Sequence, residues 1–423
     1  MKIKLKNIND YTKELTCVVP WEDLENSFQD EFNRMKLNHT PKGGRKGKVT
    51  GINLEIFKRN YGPAIEANFA EKSLNVYYRQ AIEKENLTPI DQAQISNLDF
   101  SEGGELTFTL SFQIVPDIKL PNYEKKFKIN MTKYLQTDQD LEMSLNELRQ
   151  QHSNIKTVDE GAKSNNFIMG DFQELDEGGL PIIGKKMEKQ YIKLGVGAFT
   201  DSAEKNLLGV KSGETRKVTV NYGEEKKAKY EIYVHKVEEQ ILPELNDDFA
   251  TTASPDLKTL DQLKDKLKEN IQYSIDDDYE KRKREEFINY FISKTKFSAP
   301  DSMVSRYLDK LAEEQSKKDN NLDKEKFRED SKKVAEFNVK WFILKDTLLE
   351  KSKISVSNDD LNNEIDKIVK ESNEEEKKIR DFFSDHNNKS SLANNLLNDK
   401  LFMHINEFAV IKDKEKNTSE LRK

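Results

Sequence analysis

Between Pro41 and Val49 the chain reads Pro41-Lys42-Gly43-Gly44-Arg45-Lys46-Gly47-Lys48-Val49, with glycines interleaved among cations and no carboxylate between them. Glycine frees the backbone for tight turns and positive φ. Cations at the tip of a narrow protrusion suit the phosphates of a nucleic-acid backbone. The charge is local. Residues 31–60 carry Arg34, Lys36, Lys42, Arg45, Lys46, Lys48, Lys58 and Arg59 against Glu31 and Glu55, whereas the whole chain has a formal net charge of -7. Any contact with RNA must therefore come through this patch. The same composition also serves an ordinary solvated loop, so on residue types alone both readings stand.

The other candidate constellations are weaker. His39, His152, His235, His386 and His404 show no helical i, i+4 pairing, and none has a cysteine near it in sequence, so no metal site is expected. Gly195-Val196-Gly197 has the start of a phosphate loop but lacks a third glycine and a following helix start, and reads as a turn. Glu374-Glu375-Glu376 runs into Lys377-Lys378 and reads as a solvated helix face. With no nucleotide motif and no metal cluster, no cofactor is expected.

The elements that must position the basic loop follow from hydrophobic spacing. Residues 2–8 and 12–19 read as strands, and residues 22–37 as a helix with Leu24, Phe28, Phe32 and Met35 on its buried stripe. Residues 53–61 and 64–85 read as two further helices, so the loop is held between helical legs. Residues 90–100 and 105–115 read as strands joined at Gly103-Gly104. Leu106, Phe108, Leu110 and Phe112 alternate there with polar residues, as in a half-buried strand. Residues 1–115 are thus an α+β domain. Residues 116–121 form a linker, 125–134 a strand and 138–150 a helix with Thr137 as N-cap. Residues 151–240 are rich in short strands and glycines, with strands expected at 166–174, 189–194, 214–221 and 229–237.

From Pro243 onward the pattern is helical. Thr259–Gln262 and Ser357–Asp360 have capping-box spacing, before Leu260, Leu263, Leu267 and Ile271 and before Leu361, Ile365 and Ile368. Val334, Phe337, Trp341, Leu344 and Leu348 step by three and four as a helix–helix seam, and residues 412–423 read as a frayed polar tail. With 423 residues, 35% hydrophobic and 35% charged, the chain fits several small cores in an elongated molecule. Its 22 Phe and 14 Tyr argue against disorder throughout. Cys17, alone and in an apolar run, argues for a buried thiol in a reducing compartment. Residues 1–7 lack the apolar core of a signal peptide and no window suits a membrane span, so a cytoplasmic location is expected.

The basic loop resembles the Gly-Phe-Arg-x-Gly-Lys-x-Pro signature by which bacterial trigger factors attach to the ribosome beside the exit tunnel. Gly43, Arg45, Gly47 and Lys48 match, whereas Gly44 replaces Phe and Thr50 replaces Pro. Residues 241–249, Ile-Leu-Pro-Glu-Leu-Asn-Asp-Asp-Phe, are similar to the junction after the family's isomerase domain, and residues 339–357 resemble its C-terminal arm.

The resemblance implies an α+β multidomain protein: a ribosome-binding domain (1–115), the first part of a chaperone body (116–150), an FKBP-like peptidyl-prolyl isomerase domain (151–245) and a helical chaperone domain with arms (246–423). It implies Gly43, Gly44, Arg45, Lys46, Gly47 and Lys48 as ribosome-binding residues and Asp171, Phe172, Tyr191 and Tyr230 as the isomerase pocket. Its partners would be the large ribosomal subunit and nascent or unfolded polypeptides, without a membrane; self-association of the free protein stays open.

The pocket departs from the family. Thr200-Asp201-Ser202-Ala203-Glu204 stands where the family reads Ile-Pro-Gly-Phe-Glu, and Asn221-Tyr222-Gly223-Glu224 shortens a flap. Such a domain works by desolvating an X-Pro bond whose barrier is roughly 20 kcal/mol, so weak or absent isomerase activity is expected. The implied function is an ATP-independent, ribosome-docked chaperone. A folding enzyme acting mainly as an isomerase is the alternative.

Overall fold

Apolar–polar alternation decides the first sheet. In the computed structural model, which describes residues 1–222, 226–319, 322–372 and 374–422, β1 (Lys2–Asn7) and β2 (Thr12–Val19) form a hairpin, followed by α1 (Trp21–Asn38) and α2 (Ile52–Lys84). Next come β3 (Gln94–Asp99) and β4 (Leu106–Gln113), giving an antiparallel sheet of order β1-β2-β4-β3. Leu15, Cys17 and Val19 lie opposite Leu110, Phe108 and Leu106, so the centre of one face of the sheet is apolar. It buries against Leu24, Phe28 and Phe32 of α1 and Phe57, Ile65 and Phe69 of α2. Burial pushes the Cys17 thiol up to about 11 and leaves it unreactive.

The two helices expected after the basic loop are one. α2 runs through Pro63, because Phe57 before it and Ile65 and Phe69 after it are all buried in the same core. That packing outweighs the roughly 3 kcal/mol that an interior proline costs. Met35, expected on the buried stripe of α1, is exposed, since the core ends at Phe32.

The chain continues through β5 (Phe127–Leu135), α3 (Asp138–Gln151), β6 (Asn154–Thr157), β7 (Phe167–Leu175), β8 (Pro181–Lys193), α4 (Asp201–Leu207), β9 (Thr215–Tyr222) and β10 (Lys226–Ile241). Further helices follow in order. They are α5 (Asp247–Ala253), α6 (Leu260–Lys294), α7 (Asp301–Ser316), α8 (Lys324–Ser352), α9 (Asn358–Glu371), α10 (Glu376–Ser384) and α11 (His386–Phe408); the chain then enters β11 (Ala409–Asn417). Packing divides it into two units, residues 1–131 with 282–412 and residues 132–281 with 413–423.

In the first unit the open end of the sheet is tied to α7. The Tyr11 hydroxyl donates to Asp301 at 3.0 Å, the Ser302 N–H donates to the Gln113 side chain at 3.0 Å, and Arg306 donates to the Ile90 carbonyl at 3.1 Å. A second core in this unit is aromatic. Tyr123, fully buried, meets Phe291 and Phe408 edge-on, and Phe402 stacks between Phe287 and Trp341. The seam expected on α8 is rotated. Ala335, Val339, Ile343, Leu344 and Leu348 are buried, whereas Val334 and Phe337 are exposed. The Ser357–Asp360 capping box is present at the start of α9.

The second unit holds two cores. α3, α5 and α6 close over Leu145, Phe249, Ala250 and Leu263. A β-rich lobe, residues 154–241, has its own core and a sheet in which β10 pairs with β6, β7 and β9, and β7 pairs with β8. The lobe enters and leaves at one point: Asn154 of β6 lies opposite Ile241 of β10, and Gln240 donates to the Ser153 hydroxyl at 2.7 Å. The tail is not frayed. β11 pairs with β5, and beyond it the buried Thr418 hydroxyl donates to Asp140 at 2.5 Å, with Arg422 paired to the same carboxylate. Asp140 also accepts the Thr137 N–H at 2.6 Å, so the carboxylate that completes the capping box of α3 also holds Thr418 and Arg422.

Candidate functional site

The basic loop spans residues 39–51 between α1 and α2 and is closed by its own backbone. The Gly44 N–H donates to the Pro41 carbonyl at 2.9 Å and the Lys48 N–H to the Arg45 carbonyl at 3.0 Å, making two successive turns. The Gly47 N–H reaches the His39 carbonyl at 2.9 Å and ties the end of the loop to its start. Gly47 has φ +75°, and a Cβ there would lie 3.3 Å from the Leu37 carbonyl oxygen, so the position calls for glycine twice over. At Gly44 a Cβ would meet the Pro41 ring at 2.8 Å, so the buried proline stands over the position where the family signature has phenylalanine.

The base of the loop is apolar. Val49 is buried in the core of the first sheet, and the His39 ring packs 5.0 Å from both Phe57 and Tyr61. Both ends are therefore fixed, and the cations stand at the tip.

Not all of the local cations are available. Arg34 and Lys72 both bind Glu31, at 2.5 and 2.8 Å, and Lys58 binds Glu102 at 2.9 Å. The hydrogen bond from Lys72, reinforced by Arg34, holds the Glu31 carboxyl below its usual range. Lys42, Arg45, Lys46 and Lys48 are exposed, and among the described residues no carboxylate pairs with them. From the sequence all of these cations except Lys72 form one group. The structure separates those spent on neighbours from those left facing solvent.

The four pocket residues of the β-rich lobe do not converge. Successive residues of β7 point to opposite faces of its sheet. Phe172 is buried with Ile168 and Gly170 on the face covered by α4, and it meets Phe199 and Tyr230 edge-on at 5.8 and 6.2 Å. Asp171 faces the other way. It accepts the Lys189 N–H at 2.9 Å, binds His235 Nε2 at 2.8 Å and lies 3.4 Å from Lys186 Nζ. The Lys189 N–H first, then His235 and Lys186, press the Asp171 carboxyl down to about 2.

Tyr191 lies opposite Met169 and therefore shares the face of Asp171. Its ring stacks on Phe167 at 5.1 Å, and its hydroxyl donates to Glu238 at 2.6 Å. Burial and that carboxylate push the hydroxyl up to about 12. Phe172 and Tyr230 thus belong to a core, and Asp171 and Tyr191 to a solvent-facing sheet surface. Phe199, His235 and Glu238 were missed from the sequence, although the two-residue steps Tyr233–His235 and Asp171–Gln173 carried the face assignment.

The divergent segment differs in backbone as well as side chain. Asp201, where the family has proline, opens α4 at φ +50°, which a proline ring locked near -65° cannot adopt. Ala203, where the family has phenylalanine, is fully buried against the lobe's core. Of the shortened flap, Asn221 and Tyr222 end β9, and Gly223 and Glu224 lie outside the described residues.

Comparison with known proteins bears on both ends of the chain. Residues 1–148 match the family model of bacterial trigger factor protein, and residues 259–407 match that of the trigger factor C-terminus. A trigger factor of Bacillus cereus is 27% identical over 395 residues, covering 87% of this chain and 91% of that protein. One from Geobacter metallireducens is 25% identical over 437 residues, covering 99% and 100%. A chain solved in work on promiscuous substrate recognition in the folding and assembly activities of the trigger factor chaperone shares the fold, with a TM-score of 0.54 at 16% identity over 96% of this chain and 99% of that one.

Proposed function

Because this chain belongs to the bacterial trigger factor family, we propose that it is an ATP-independent chaperone that docks on the large ribosomal subunit beside the exit tunnel and shields nascent or unfolded polypeptides. One observation carries the docking step: Arg45, Lys46 and Lys48 stand exposed, with no carboxylate partner among the described residues, on a loop fixed at its start by His39, which Gly47 bonds, and at its end by Val49. Fixing the loop before binding reduces the ordering cost at the interface, and exposed guanidinium and ammonium groups gain most from releasing the counterions of rRNA.

The domain roles follow the family order: residues 1–115 for the ribosome, 116–150 with 246–423 as chaperone body, and 151–245 as an FKBP-like domain. With no nucleotide motif in the sequence, clients leave by exchange of weak contacts in the cytoplasm. Isomerase activity is close to background. Phe172 and Tyr230 are core residues, Asp171 is engaged on the opposite face, and the segment at 200–203 has neither the side chains nor the backbone of a prolyl pocket.

The experiment is twofold. The intact chain should sediment with bacterial ribosomes at low salt and suppress aggregation of a refolding client without ATP. A chain lacking residues 154–241, with Ser153 joined to Leu242 where the lobe enters and leaves, should keep both activities. No ribosome association and no suppression by the intact chain would overturn the proposal. Loss of suppression in a folded deletion variant would assign chaperoning to the lobe.

A further inference from the structure

The turn of α2 that follows the basic loop carries two aliphatic side chains that face away from the core. Gly51 ends the loop and α2 begins at Ile52. Leu54 and Phe57 pack on the core of the first sheet, whereas Ile52 and Ile56, one helical turn apart on the same side, are 75% and 42% exposed. Leu37, exposed in the last turn of α1, borders the loop at its other end, its Cδ2 3.6 Å from where a Cβ on Gly47 would lie. Single exposed aliphatic residues are ordinary on a protein surface. These three flank the one loop whose cations have no carboxylate partner among the described residues. The loop itself has no apolar side chain from Lys42 to Lys48. The family signature has phenylalanine where Gly44 stands, and here the buried Pro41 ring leaves no room for one, since a Cβ at 44 would meet it at 2.8 Å.

The two chemistries want different partners. Exposed cations gain most from phosphates, whereas an isoleucine gains only by leaving water against another apolar surface. A docking surface that takes both lies at a border between rRNA and protein. We propose that Ile52 and Ile56 are the apolar anchor of the docking contact, seated on a ribosomal protein beside the rRNA that the loop tip meets, and that they stand in for the side chain missing at Gly44. The proposal rests on the docking reading above and adds the residues that select which part of the subunit surface is taken. It divides the interface in two: the loop cations set the salt dependence, and the isoleucines supply a part of the affinity that salt does not screen.

The test uses the full chain and bacterial ribosomes. Ile52→Ala with Ile56→Ala exchanges exposed side chains for the best helix former, so α2 should stay folded by circular dichroism. The pair should weaken co-sedimentation about tenfold, with the log–log salt slope the same as in the unmodified chain. Ile52→Leu with Ile56→Leu, which keeps the apolar volume, should bind as the unmodified chain does. A photo-crosslinking phenylalanine analogue in place of Ile52 should join the chain to a ribosomal protein, in a product that survives ribonuclease. Unchanged affinity in the alanine pair, or a shallower salt slope, would overturn the anchor. A crosslink to rRNA alone, or to a second copy of this chain, would overturn it as well. If the intact chain binds ribosomes and the alanine pair binds equally, the anchor fails and the docking reading stands; if the intact chain does not associate at all, both fall.

Discussion

The loop at residues 39–51 and the sheet around Asp171 differ in how far apart in sequence their working parts lie. The loop closes on itself: Pro41, Arg45 and His39 supply the carbonyls that Gly44, Lys48 and Gly47 bond. Two departures from the family signature, Gly44 and Thr50, leave the turns and the exposed cations in place. A prolyl pocket has to be assembled from strands, a helix and a flap at once. Here the helix start has turned to φ +50° at Asp201, and the four expected residues are divided between two faces of one sheet. A tip that works by displayed charge tolerates local change. A desolvating pocket does not, because one missing wall admits water to the bond that must be kept dry.

The sharpest effect expected from this contrast is on stability. If Phe172 is a core residue, Phe172→Ala should destabilise the β-rich lobe by about 3–5 kcal/mol, measured by urea unfolding, with ribosome sedimentation unchanged. A pocket-wall residue would cost far less.

Next is the attempt to rebuild the pocket. Thr200→Ile, Asp201→Pro, Ser202→Gly and Ala203→Phe together would place proline where φ is +50° and phenylalanine on a buried alanine. Overpacking at 203 alone should cost about 1–3 kcal/mol, and turnover of a short Xaa-Pro peptide should stay close to background. Robust turnover by the unmodified chain, inhibited by an FK506-type ligand, would break the comparison outright.

The smallest effect concerns Asp171. Its carboxyl sits at about 2 in the folded chain and near 3.9 when unfolded. Its stabilising contribution is therefore present above about pH 4 and is lost as pH falls through about 2. Asp171→Asn should flatten acid unfolding in that window and leave ribosome binding as it is. An unchanged acid profile would separate Asp171 from the Lys189–His235 network.

Much of the architecture could be read before the structure. The alternation in β4, the α1 stripe through Phe32, the strands of the lobe and the Ser357–Asp360 box all rest on local periodicity or fixed spacing. The misreadings share a cause in long-range packing. Pro63 reads as a break until Phe57 and Ile65 are seen in one core. Residues 412–423 read as tail until β5 offers an edge and Asp140 a partner. Val334 and Phe337 fit a helical stripe that the neighbouring helices do not cover. At the loop, the sequence located the cations but not the ion pair of Lys58, since Glu102 comes from a distant turn, whereas the Arg34–Glu31 pair is a local i, i+3 contact within α1. At the pocket, the adjacency of Asp171 and Phe172 already implied opposite faces of a strand, and only the resemblance joined them.

The most direct measurement is co-sedimentation of the Arg45→Ala, Lys46→Ala, Lys48→Ala chain with bacterial ribosomes across a salt series. These side chains are exposed and unpacked, so the fold should be intact by circular dichroism. The unmodified chain should bind with a log–log salt slope of roughly -2 to -3, as expected for three phosphate contacts, and the triple variant should not bind. Salt-independent binding that survives the triple change would contradict the account.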